Sequence, residues 1–304
     1  MALGYDQRLY ILAFDHRGSF LKKFFGISGR APTEEEAARV SDAKGVIFEG
    51  FLRSLEQGAD RSSAGILVDE EFGAEVARKA RAEGILFAMP VEKSGQDEFD
   101  FQYGEDFGAH IEEFDPTFAK VLVRYNPEGD RVMNARQAAR LARLGEWLHG
   151  RDRRYLFELL VPPEPHQLEA VEGDEDRYDR EVRPGLMLRA VEELHAAGVE
   201  PDVWKIEGLD RREDCEAVAA AVRAGGRDGV ACVVLGRGAD RGAVDHWLRQ
   251  GAGVPGYVGF AIGRTIWWDP LKAYVDGEVD REEAARRIAE NHLSHIRVYE
   301  EAAG

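Results

Sequence analysis

Asp202-Val203-Trp204-Lys205-Ile206-Glu207-Gly208 is a short run of β-forming residues with a lysine at its centre. Such a run reads as a buried strand. A lysine ammonium in a dry interior is costly unless it is paired or loses its proton. A neutral lysine amine attacks carbonyl carbon to give a Schiff base. A lysine at a strand end, paired with Glu207 or reaching solvent along its own methylenes, fits the same letters. The rest of the chain decides between the two.

Seven further runs have the same character: 9–15 (LYILAFD), 64–69 (AGILVD), 86–93 (LFAMPVEK), 118–125 (FAKVLVRY), 155–161 (YLFELLV), 230–235 (VACVVL) and 258–262 (VGFAI). The opening stretch is the sixth of eight. Pro90 gives the third run an irregular end. Helical patterns separate the runs. One opens near Thr33 with Glu34, Glu35 and Glu36 and reaches about Gln57; 73–83 is closed by Gly84; 135–149 carries a leucine stripe. Others span 184–197, opened by Pro184 and closed by Gly198, then 212–224, 243–250 and 281–301. The acidic segment 164–183 reads as an exposed, irregular excursion. Apolar strands alternating with helices fit a parallel sheet covered on both faces. Eight such units in a chain of 304 residues predict an α/β fold, the (β/α)8 TIM barrel, over 1–304 as one domain. An open doubly wound sheet is the alternative.

Composition narrows the partners. The net charge of -17 argues against nucleic acid and anionic membrane. It leaves room for a phosphorylated small molecule, which needs only a local cluster of donors. Cys215 and Cys232 are too few for a disulfide framework or a cysteine-based zinc site. The first residues lack the basic and apolar regions of a signal peptide, and no apolar run is long enough for a membrane span. A cytoplasmic protein is expected. The histidines are scattered, and His292 and His295 lie on the final amphipathic helix as a packed or solvated pair. His16 reads as a packing or hydrogen-bonding residue. No metal site and no cofactor are expected. Phosphate-loop, dinucleotide-fold and serine-nucleophile signatures do not occur.

In a barrel of this kind the active site lies at the C-terminal strand ends. There stand Asp15, Asp69, Glu92 with Lys93, Lys120 with Arg124, Glu158, and Lys205 with Glu207. Period-two alternation puts Val203, Lys205 and Glu207 on one face, as it does Lys120, Leu122 and Arg124, and Leu156, Glu158 and Leu160. If these faces point inward, Lys205, Lys120 and Glu158 converge at the barrel mouth. Two lysines and a carboxylate suit imine chemistry. One lysine forms the iminium, the second lowers its pKa by like-charge repulsion, and the carboxylate moves protons. A buried ion-pair network that fixes strand register is the competing reading. The last two runs lead into Gly236-Arg237-Gly238 and Gly263-Arg264-Thr265. A glycine-flanked arginine suits a phosphate, and the first of the pair reads equally as a tight turn.

Asp15-His16-Arg17-Gly18-Ser19, Val68-Asp69-Glu70, Glu92-Lys93-Ser94-Gly95, Lys120-Val121-Leu122, Phe157-Glu158-Leu159, Trp204-Lys205-Ile206-Glu207 and Ile262-Gly263-Arg264 occur in this order. In this the chain resembles the tagatose-bisphosphate aldolase type of class I aldolase. It is more closely similar to the domain of unknown function 2090 group, which is associated with 2-deoxy-5-keto-gluconate 6-phosphate aldolase and occurs fused behind a sugar kinase. The resemblance covers about residues 9 to 270. It implies a (β/α)8 fold and a metal-independent retro-aldol cleavage of a ketose-type sugar phosphate, with dihydroxyacetone phosphate and malonic semialdehyde as products. It implies Lys205 as the Schiff-base lysine, Glu158 as acid/base, Lys120 as a second active-site lysine and Asp15 as the first-strand acid. Gly263 and Arg264 match the phosphate-binding turn. Arg17, Lys93, Arg124, Gly236 and Arg237 are further candidates for binding substrate.

Two departures stand out. Leu235-Gly236-Arg237-Gly238 replaces the Ser-Ala-Gly turn of the aldolase group, and with no kinase domain a separate enzyme would phosphorylate the substrate. The rival functions are a metal-dependent aldolase or isomerase, and a non-catalytic sugar-phosphate-binding or kinase-partner domain. A homo-oligomer is compatible with all of them. Glu207 poses the remaining question, because pairing with Lys205 would raise that lysine's pKa. Imine chemistry requires Glu207 to face another cation.

Overall fold

The computed structural model describes residues 2–304. All eight runs are strands: β1 Leu9–Ala13, β2 Ala64–Leu67, β3 Leu86–Pro90, β4 Phe118–Arg124, β5 Arg154–Leu160, β6 Val203–Glu207, β7 Ala231–Leu235 and β8 Tyr257–Ile262. Each pairs in parallel with the next, and β8 closes onto β1. The fold is a (β/α)8 barrel, not an open sheet.

Alternation within each strand divides the core. On β1, Leu9, Ile11 and Ala13 point into the barrel, while Tyr10 and Leu12 join the layer beneath the helices. Tyr5 plugs the lower end, its ring edge-on to Phe118 at 5.3 Å. Gly4 anchors that plug. Its N–H donates to Asp202 Oδ1 at 2.8 Å, and with φ at 112° a Cβ would lie 2.0 Å from the Gly229 carbonyl oxygen. No other residue fits there.

The helices are α1 Gly18–Phe24, α2 Glu34–Glu56, α3 Glu70–Ala82, α4 Phe107–Phe114, α5 Arg131–His149, α6 Pro165–Ala170, α7 Glu175–Arg177, α8 Arg183–Ala196, α9 Arg212–Arg223, α10 Arg241–Gly251, α11 Arg264–Val275 and α12 Arg281–Ala303. Thr33 and Glu36 form a capping box on α2. Three helices begin earlier than apolar periodicity alone indicates, because aspartates cap them: Asp69 on α3, Asp130 on α5 and Asp240 on α10. Among the described residues no helix is long and apolar enough to cross a membrane.

Segment 164–183 corrects the sequence reading. It is ordered as α6, α7 and a π-helical turn, Tyr178–Val182, and it is pinned to the barrel rather than exposed throughout. Tyr178 is buried and its hydroxyl donates to the Val161 carbonyl at 2.8 Å; Arg183 is buried and donates to the Gly208 carbonyl at 3.0 Å. The helix α11 was hidden in the sequence by Pro270, which cannot donate to the Ile266 carbonyl. The Asn291 side chain of α12 donates to that carbonyl instead, at 2.9 Å.

One buried pair fixes the loop after β1. The Lys44 ammonium of α2 donates to the carbonyls of Phe14, at 2.8 Å, and His16, at 3.0 Å, and pairs with Asp69. The other Asp69 oxygen accepts from Phe72 N–H at 2.9 Å to cap α3. Asp69 therefore has a structural role. Asp69→Ala strands a buried ammonium and removes the cap, and is expected to cost about 3–5 kcal/mol. Denaturant unfolding measures it; adding Lys44→Met should recover part of the loss, because the stranded charge is gone.

Candidate active site

Register builds the site. Pairing of β5 with β6 sets Glu158 beside Lys205, and pairing of β4 with β5 sets Leu122 beside Glu158, so Lys120 lies one inward position lower on β4. Inward residues of these strands change from apolar to charged along the strand. Leu156 and Val203 belong to the barrel core, whereas Glu158, Lys205 and Glu207 line the cavity above it. That cavity holds about 560 Å³.

Lys120 is the hub. Its Nζ lies 2.8 Å from Asp15 Oδ2, 3.0 Å from Glu92 Oε1 and 3.0 Å from Glu158 Oε2. The same Glu158 oxygen accepts from Lys205 Nζ at 3.0 Å. All five groups are largely shielded from solvent. Burial acts to lower the pKa of Lys120, but Asp15, Glu158 and Glu92 outweigh it and hold the group above the ordinary lysine range. Burial acts to raise Asp15 and Glu158, but Lys120 and Lys205 outweigh it and both are held below the ordinary carboxylate range. Glu92 goes the other way: its burial exceeds the help of Lys120 and Arg17, and its pKa is raised. His16 also lines the cavity; burial pushes its pKa down to about 4, against the pull of Asp15.

Glu207 faces cations other than Lys205. Its Oε1 lies 3.2 Å from Arg237 Nε, and its Oε2 accepts from Val161 N–H at 2.9 Å with Arg183 at 3.8 Å. Arg237 also pairs with Asp179 of the π-helical turn. The Arg237 backbone is left-handed, with φ at 52°, and its carbonyl accepts from Arg264 at 2.5 Å. Gly238 follows with φ at 74°, a left-handed backbone that favours glycine. Gly236-Arg237-Gly238 is thus a tight turn whose cation is neutralised by two carboxylates.

Arg264 differs. It is the first residue of α11, lines the cavity and makes no ion pair among the described residues. Burial lowers its pKa, against the pull of Glu158. Gly263 precedes it where a Cβ would lie 2.3 Å from the Ala13 carbonyl oxygen. Lys93, beyond β3, and Arg124, at the end of β4, both line the cavity, with Arg124 donating to the Gln96 carbonyl at 2.9 Å. Arg17 is buried and donates to the Glu92 carbonyl at 2.8 Å, so it supports Glu92.

The structure therefore brings Asp15, Lys120, Glu158 and Lys205 into one cluster and sets Lys93, Arg124, Arg237 and Arg264 around its rim. Glu92 stands at a strand end in the sequence, but nothing in the letters gives it a role. It follows β3, after Pro90, where period-two alternation no longer assigns a face. No group of three or more His, Cys, Asp or Glu among the described residues is arranged to hold a metal ion.

The family described as uncharacterized protein conserved in bacteria (DUF2090) matches residues 4–303. No curated protein matches the chain. Among solved structures, fructose-bisphosphate aldolase from Plasmodium falciparum, in complex with TRAP and a small-molecule inhibitor, is 15% identical with a TM-score of 0.67, covering 97% of this chain and 91% of that one. Cgl0159 from Corynebacterium glutamicum is 15% identical with a TM-score of 0.57, covering 97% and 88%. At these identities the likeness is one of fold.

Removing the hub is expected to make stability depend on pH between about pH 8 and 5 more steeply than in the wild type. In the wild type, Asp15 and Glu158 have lowered folded-state values. Their contribution is present above about pH 4 and is lost as the pH falls further. Lys120 contributes below about pH 10 and loses that contribution only as the pH rises through its raised folded value. Lys120→Met leaves carboxylates facing one another. It is expected to lose about 3–5 kcal/mol near neutral pH and to regain stability as the pH falls toward 5, because the folded state then binds protons more tightly than the unfolded chain. Urea unfolding of both proteins between about pH 8 and 5 tests this; parallel curves would contradict it.

Proposed function

We propose that this chain, which belongs to the DUF2090 family, is a class I, Schiff-base aldolase. One observation carries the reading. Lys205 and Lys120 share a single carboxylate oxygen, each at 3.0 Å, at the base of an open cavity at the C-terminal end of a (β/α)8 barrel. The shared fold with a fructose-bisphosphate aldolase supports it, as does the motif order that resembles class I aldolases.

Lys205 gives up a proton to Glu158 and attacks the substrate carbonyl. Glu158 returns that proton to the carbinolamine oxygen, which leaves as water. Lys120, kept charged by its three carboxylates, stabilises negative charge that develops on substrate oxygen. The iminium then accepts the electron pair of the breaking carbon–carbon bond as an enamine. Arg264, lacking a carboxylate partner at the start of α11, receives the phosphate together with the free N–H groups of that helix end. Lys93 and Arg124, across the mouth, suit a second negative charge. A ketose-type phosphate with an anionic far end fits both clusters. We take it to be 2-deoxy-5-keto-gluconate 6-phosphate, cleaved to dihydroxyacetone phosphate and malonic semialdehyde.

The test is borohydride reduction with dihydroxyacetone phosphate present. The intact protein should gain the mass of one reduced adduct and lose turnover, Lys205→Met should gain nothing, and EDTA should leave turnover unchanged. Glu158→Gln should lower kcat by about 100-fold. No adduct together with EDTA-sensitive turnover would transfer the site to metal-dependent chemistry. Binding of sugar phosphate without turnover, equal in wild type and Lys205→Ala, would make the domain a binding module.

A further inference from the structure

Retro-aldol cleavage needs proton transfer at two places. One is the imine nitrogen, where Glu158 lies within 3.0 Å of Lys205. The other is the hydroxyl on the carbon that leaves as aldehyde. Glu158 is already engaged by both lysines. Asp15 accepts from Lys120 at 2.8 Å and is held strongly in its anionic form.

Glu92 is placed differently. Its Oε1 accepts from Lys120 at 3.0 Å, yet it makes no ion pair with Lys205. It follows β3, with β4 and β5 between it and Lys205 on β6, so it meets the hub from a different strand than the imine nitrogen does. Its second oxygen, Oε2, is buried and has no hydrogen-bond partner among the described residues. A buried carboxylate oxygen without a donor calls for an explanation, and this one belongs to a residue that lines the cavity.

Its backbone is rigid. Glu92 forms an antiparallel bridge with Phe101, flanked by Lys93 N–H to the Asp100 carbonyl at 2.9 Å and Gln102 N–H to the Val91 carbonyl at 3.0 Å. Arg17 grips the Glu92 carbonyl at 2.8 Å and approaches Oε1 at 3.5 Å, which leaves Oε2 unengaged. A fixed carboxylate with one oxygen on a permanent cation and the other free is arranged to exchange a proton with something in the cavity. Its raised pKa agrees with that role, since its neighbours on the hub are both lowered.

We propose that Glu92 is a further catalytic residue: the carboxylate that takes the hydroxyl proton at the cleaved bond and returns it to the enamine carbon. This rests on the aldolase reading. As the carbon–carbon bond breaks, its electron pair enters the iminium to form the enamine, the hydroxyl proton passes to Glu92, and the aldehyde leaves. The enamine carbon was bonded to the carbon bearing that hydroxyl. One carboxyl group therefore reaches both positions. The protonated Glu92 gives its proton to the enamine carbon, an iminium reforms, and water releases the product ketone. No proton is gained or lost over the cycle. Glu158 keeps its role at nitrogen.

The experiment uses dihydroxyacetone phosphate alone, in D2O, with the full-length wild type, Glu92→Gln and Glu92→Asp. NMR follows exchange of the substrate's carbon-bound proton, and borohydride reduction follows imine formation. Wild type should show both. Glu92→Gln should still give the reduced adduct but exchange at least about 100-fold more slowly, and Glu92→Asp should recover about 10-fold of that loss. Exchange at the wild-type rate in Glu92→Gln, with the adduct present, would overturn the assignment and leave the aldolase reading standing. Loss of the adduct in Glu92→Gln, with Glu92→Asp equally inactive, would also overturn it, in favour of a purely structural carboxylate. Absence of an adduct in the wild type would remove the aldolase reading and this assignment together.

Discussion

The mouth of this barrel depends on one buried ammonium. Lys120, on β4, draws Asp15 from the loop after β1, Glu92 from beyond β3 and Glu158 from β5 to within 3.0 Å. None of those carboxylates could be buried together without it, since like charges at such distances repel strongly in a poorly screened interior. Arg17 and Lys205 add the remaining positive charge, so three cations face three carboxylates. The cluster is thus nearly neutral as a whole while each member keeps a distinct charge and a distinct set of partners. The apolar layer beneath, formed by inward residues such as Leu156 and Val203, excludes water and keeps the geometry fixed.

From that constraint the division of labour follows. Lys120 has three carboxylate partners and remains an ammonium, whereas Lys205 shares a single oxygen with it. The carboxylates divide too: Asp15 and Glu158 are held anionic, and Glu92 is pushed the other way. The arginines at the rim repeat the theme. Arg237 is neutralised by Glu207 and Asp179, and so ties the π-helical turn to the end of β6. Arg264, like Arg124, has only a backbone carbonyl as partner among the described residues, so neither guanidinium is neutralised by a carboxylate. Glu207, one inward position beyond Lys205, serves the first of these arginines and leaves Lys205 alone.

Much of this was legible in the sequence because barrel strands bury both faces. Eight apolar runs stood out against 32% charged residues, and alternation within β4, β5 and β6 located Lys120, Glu158 and Lys205 on one inward face. The features that the letters conceal lack periodicity or break it. Pro270 concealed α11, since the compensating donor is Asn291 on another helix. The acidic content of 164–183 suggested solvent, yet Tyr178 and Arg183 are buried there by partners distant in sequence. Glu92 lies just past a strand that ends in proline, so its direction is set by the bridge to Phe101 rather than by pleat. Gly236-Arg237-Gly238 and Gly263-Arg264-Thr265 are alike as letters; only the carboxylates around Arg237 separate them.

In the proposed reaction Lys205, and not the better-neutralised Lys120, forms the covalent bond. Peptide mapping by mass spectrometry after borohydride reduction with dihydroxyacetone phosphate addresses it most directly. The reduced three-carbon phosphate adduct is expected on Lys205 within the β6 peptide. An adduct on Lys120 or on Lys93 would contradict it, since either would mean that the carboxylate cluster activates a different amine.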